Sequence, residues 1–60
     1  MSKESERILE RLKSHYKDDA EALELIEQTK ADIEYLEQKG QKEKAQAHLN
    51  NFEAFLHDWY

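Results

Sequence analysis

The chain contains no cysteine, no proline and no valine, and it has a single glycine and a single threonine. Without cysteine there is no disulfide, no thiolate nucleophile and no Cys-ligated metal site. A cysteine-free chain of this size suits a reducing compartment, so the expectation is a cytoplasmic protein. With only Ile8, Ile26, Ile33 and Thr29 β-branched, little in the sequence favours strands. Long apolar runs are missing too. None approaches the ~20 residues that a bilayer-spanning helix needs. The opening Met1-Ser2-Lys3-Glu4-Ser5-Glu6 has no apolar segment behind its charges, so neither a membrane span nor a signal peptide is expected.

What remains is rich in Ala, Leu, Glu, Lys and Gln, all strong helix formers. Sixty residues, 38% hydrophobic and 38% charged, allow one small domain over residues 1–60 with one thin core. The fold expected is all-α: a short N-terminal helix plus an antiparallel helical hairpin, a three-helix arrangement. The helices are placed at about residues 5–17, 19–38 and 42–58 by apolar periodicity. In the first, Ile8, Leu9, Leu12 and Tyr16 gather on one face, with Ser2 or Ser5 as the cap. Asp18-Asp19 then interrupts the stripe, and Asp18-x-x-Glu21 has capping-box spacing, so a second helix starts there. The alternative is one continuous helix with Asp19 on its seam; the break is favoured.

The second helix carries Ala22, Leu23, Leu25, Ile26, Thr29, Ile33 and Leu36 over an arc wider than one partner needs, so it should touch two neighbours. Gly40 ends it, and a short connection makes the next helix antiparallel. The third helix repeats Ala45, Leu49, Phe52, Leu56 and Trp59 at 4-3 spacing, and Phe52, Phe55, Leu56 and Trp59 should pack near Leu23, Leu25 and Ile26. An isolated core this thin is marginal. With no disulfide or metal to hold it, pairing of two chains into a helical-bundle dimer is expected, with a three-helix monomer as the alternative.

Few constellations carry chemistry. His15 with Asp19, and Glu53 with His57, stand at i, i+4, but neither Glu-x-x-His nor His-Glu-x-x-His occurs, so no metal and no cofactor are expected. Ser2, Ser5, Ser14 and Thr29 stand in no motif that would position a nucleophile beside a base, and the expectation is a non-enzymatic protein. Charge distribution says more. Residues 1–17 hold five basic and three acidic side chains, whereas residues 18–38 hold eight acidic and one basic, within a formal net charge of −5. That balance disfavours nucleic acid as a partner and leaves an acidic second helix suited to a protein with a basic surface. The candidate contact residues are Glu24, Glu27, Glu34 and Tyr35, with Phe55, Trp59 and Tyr60 as an aromatic anchor, since Trp and Tyr are favoured at interface hot spots. The function expected is a small protein-binding regulator, such as an inhibitor or anti-adaptor, acting through helix faces. A structural homodimerisation module is the alternative.

Ile26-Glu27-x-x-Lys30-x-x-Ile33-x-x-Leu36 running into Lys39-Gly40, followed by Phe52-Glu53-x-Phe55-Leu56 and a terminal aromatic, resembles the helical hairpins of the sporulation aspartyl-phosphate phosphatase family. In that family a Ser-Gln-Glu-Leu-Asp motif on the second helix acts on a phosphorylated response regulator. Here the stretch reads Leu49-Asn50-Asn51-Phe52-Glu53, so the motif is missing and only Glu53 could replace its aspartate. The resemblance spans residues 26–60 and implies a bacterial or phage regulatory hairpin, without carrying over the activity.

Overall fold

The computed structural model describes residues 1–59, Trp59 by its backbone alone, and holds three helices: α1 (Lys3–His15), α2 (Ala20–Gln38) and α3 (Lys42–Trp59). The all-α, three-helix expectation is met, with α1 shifted two residues toward the N-terminus. Its cap is the reason. Ser2 is extended, and its Oγ accepts from the Ser5 backbone N–H at 3.2 Å while its hydroxyl donates to Ser5 Oγ at 2.9 Å. Ser5 is buried within the first turn instead of capping it. Glu4 and Glu6 near the start and Lys13 and His15 near the end complement the helix dipole.

Two helices, not one, precede Gly40. The Tyr16 N–H closes α1 on the Leu12 carbonyl at 3.0 Å, and the Asp19 N–H turns back to the Tyr16 carbonyl at 2.9 Å. Asp19 is extended and its Oδ1 accepts from the Ala22 N–H at 3.1 Å, making it the N-cap of α2. This corrects the expected Asp18–Glu21 capping box: Asp18 lies outside the helix, and Glu21 contributes only its charge to the first turn. A continuous helix would have brought the Asp19 carboxylate onto the buried seam; as a cap it satisfies an otherwise unpaired donor.

At the other end of α2, Gly40 adopts a φ of 76°, the left-handed conformation that glycine takes without a Cβ penalty. The Gly40 N–H reaches the Glu37 carbonyl at 3.0 Å and the Gln41 N–H the Leu36 carbonyl at 2.9 Å. These two bonds form a Schellman motif, which reverses the chain and starts α3 at Lys42.

The helices run up, down and up. Lys13 on α1 meets Glu27 on α2, and Ser2 meets Glu37, so α1 is antiparallel to α2; Arg11 meets Glu53 and Tyr16 meets Leu56, so α1 is parallel to α3. As its wide arc required, α2 touches both neighbours, and its contact with α3 is the most extensive in the molecule. The core is Leu9, Leu12, Ala22, Ile26, Ile33, Ala45, Leu49 and Leu56, edged by half-buried Ile8, Tyr16, Leu23, Leu36 and Phe52. Two expected core residues differ: Leu25 is only half-buried and Phe55 is 43% exposed. Both stand beside the buried stripe of their helix on the side that α1 does not cover. The expected packing of Trp59 lies outside the described residues.

Candidate functional site

Polar contacts divide the surface into a closed side, an open side and an outward ridge. The closed side is where α1 crosses the hairpin. Lys13 Nζ lies 2.8 Å from Glu27 Oε1, Arg11 reaches Glu53 Oε2 at 2.6 Å, the Ser2 N–H donates to Glu37 Oε1 at 3.2 Å, and the Tyr16 hydroxyl donates to the Leu56 carbonyl at 3.2 Å. None of these ties is visible in sequence spacing, because each joins residues far apart in the chain. Glu27, a candidate partner contact, is thus engaged within the molecule. Glu53, which would have to replace the phosphatase-family aspartate, is held by Arg11.

The hydrogen bond from Lys13, then its charge, holds the Glu27 carboxyl below the ordinary carboxylate value, and the same bond raises Lys13 above the ordinary lysine value. The Glu27 contribution to stability is therefore complete above the ordinary carboxylate value and fades as pH falls through the lowered one; the Lys13 contribution fades as pH rises through the raised one. Glu27→Gln should lower the melting temperature slightly at neutral pH, as loss of an exposed ion pair does, and the difference should vanish once the pH has fallen through the lowered carboxyl value. Melts across that range check it. A difference that persists in acid would assign the effect to something other than the ion pair.

On the open side, Asp32 Oδ2 and His48 Nε2 approach to 3.5 Å across α2 and α3, an ion pair only when the imidazole is protonated. That nitrogen has no hydrogen-bond partner and is shielded, although the His48 side chain as a whole is 43% exposed. Two shallow clefts flank the contact. Tyr35, Leu36, Lys44, Asp32 and His48 line one toward Gly40, and Glu21, Glu24, Leu25 and Gln28 line the other toward the far end of the hairpin. His15 and His57 face solvent, and among the described residues no three His, Asp or Glu side chains converge as a metal site requires.

The outward ridge of α2 carries exposed Glu24 and Tyr35, whereas Glu34, also exposed, lies on the flank it shares with Glu27, in the cleft with Met1, Ser2 and Glu37 where α1 begins. Tyr35 is 59% exposed, with Lys39 Nζ 5.6 Å from its ring centroid. Every exposed charged residue of α2 is acidic (Glu21, Glu24, Glu27, Asp32 and Glu34), because its one basic residue, Lys30, is half-buried. The structure therefore places Glu24 and Tyr35 on one face of α2, Glu27 and Glu34 on the flank toward α1, and Phe55 on the open side. Tyr60 and the Trp59 side chain lie outside the described residues. No helix among the described residues is long and apolar enough to cross a membrane. Compared with protein-family models, with curated proteins and with solved structures, the chain matches none of them.

Proposed function

We propose that this chain is a non-enzymatic, protein-binding regulator whose α2 ridge docks on a basic surface of another protein. The observation that carries it is the exposure of Tyr35 within a helix surface whose exposed charges are all acidic. A ring of this kind supplies contact area at low entropic cost, and carboxylates around it steer a basic partner and disfavour acidic ones. The shallowness of the surface clefts supports binding over catalysis, since a substrate site buries most of its ligand. Self-pairing into a helical-bundle dimer belongs to the same reading, with the acidic ridges left outward for the partner.

Affinity capture with the purified chain as bait tests it. One stoichiometric partner should be recovered, its retention should fall steeply with salt, and the double variant Glu24→Lys/Glu34→Lys should lose it. Recovery of bait alone would favour a structural dimerisation module. Retention unchanged in the double variant would move the docking surface off α2.

A further inference from the structure

We infer that the α2 ridge holds a seat for an arginine side chain of the basic partner, built from Gln28, Ala31, Asp32 and Tyr35. This rests on the proposed function and names the residue type that its docking surface selects. The four residues stand at i, i+3, i+4 and i+7, the spacing whose side chains frame one hole on a helix surface, and all four are exposed. Ala31, the smallest of them, leaves the floor of the hole open. The row continues one turn back to exposed Glu24.

The walls decide what fits. Asp32 and Tyr35 line one cleft, so a carboxylate and an aromatic face lie one helical turn apart. The Tyr35 ring already accepts a cation, with Lys39 Nζ 5.6 Å from its centroid. The Asp32 side chain is 65% exposed, and its one polar contact among the described residues is His48 Nε2 at 3.5 Å, which pairs with it only when protonated. A planar guanidinium can stack on the ring and donate two parallel hydrogen bonds to the carboxylate, whereas an ammonium is a point charge that serves one wall at a time. Lys39 and Lys44 oppose an incoming cation. Both are exposed on flexible stems. The guanidinium therefore replaces Lys39 on the ring, and Lys44 swings into solvent.

Glu24 fixes the rest of the partner. It lies about 12 Å from Asp32 along α2 at ~1.5 Å per residue. A partner helix laid along the ridge thus offers its arginine to Asp32 and a second basic residue, seven or eight positions away, to Glu24. Asp32 and Tyr35 stand at the level of His48, roughly 16 Å along α3 from Trp59, so the groups that face them are among the described residues.

Magnetic-resonance titration of the whole, isotope-labelled chain tests the seat. The probe is a capped alanine-based helical peptide with two arginines seven residues apart, beside the same peptide with two lysines. The arginine peptide should shift the amide signals of Gln28, Ala31, Asp32 and Tyr35 and bind about fivefold tighter than the lysine peptide. Tyr35→Leu and Asp32→Asn should each weaken it about fivefold, and Lys39→Met should tighten it about twofold by vacating the ring. Ala31→Leu adds apolar surface and keeps a strong helix former, yet it should weaken binding about tenfold because it fills the floor. All of these positions are exposed, and circular dichroism confirms that each variant is folded. Equal affinity for the two peptides, no binding of either at millimolar concentration, or binding unchanged by Ala31→Leu and Asp32→Asn overturns the arginine seat alone. The docking reading on which it rests falls by a different result, capture of the partner undiminished by Glu24→Lys/Glu34→Lys.

Discussion

Leu49→Ala should destabilise the protein by about 2–5 kcal/mol, from lost transfer energy and the cavity left behind. Leu49 is fully buried among the apolar side chains of the three-helix core. At ~0.05–0.15 kcal/mol per residue, a domain of this length has only about 3–9 kcal/mol in total, so one such loss takes a large fraction of it. Urea denaturation followed by helical circular dichroism should show the midpoint falling sharply, with the baseline itself partly unfolded at 37 °C. The companion is Phe55→Ala on the same helix. Phe55 is the larger side chain, yet at 43% exposure its truncation should cost less than about 1 kcal/mol when measured at dilute concentration. Equal losses at the two positions would contradict the burial pattern.

Asp19→Ala should cost about 1 kcal/mol, within a range of ~0.5–2 kcal/mol, because the Ala22 N–H loses its acceptor at 3.1 Å. Asp19→Ser should restore most of it, since serine also caps from an extended backbone. Asp18→Ala should be nearly neutral, as Asp18 is exposed and outside both helices. The comparison separates a capped break from one long helix. If residues 3–38 were continuous, Asp19→Ala would put an apolar residue on the seam and raise stability.

Helix type and number were legible because they depend on properties local to the chain. Absent proline and valine, abundant Leu, Glu, Lys and Gln, and apolar spacing near 3.6 residues leave no competing structure for these segments. Gly40 marked the hairpin turn for the same reason: a left-handed C′ position favours glycine, and there is only one. Cap identity was less legible. Ser2 and Ser5, like Asp18 and Asp19, are chemically equivalent capping residues a few positions apart, and the choice follows from which register buries Leu9, Leu12, Ala22 and Ile26 together.

What the sequence by itself determined is therefore an all-helical chain, broken at Asp18-Asp19, reversed at Gly40 and acidic along its second helix. Only the tertiary structure decided which side of the hairpin α1 would cover. That placement ties Glu27 to Lys13 and Glu53 to Arg11, and leaves Leu25 half-buried and Phe55 exposed on the side away from α1. The physical reason is that periodicity gives a residue's azimuth on its own helix, whereas burial and ion pairing depend on which neighbouring helix arrives at that azimuth. In a three-helix molecule each helix has two possible flanks for its second neighbour, and side-chain packing across the core, not spacing along the chain, selects between them.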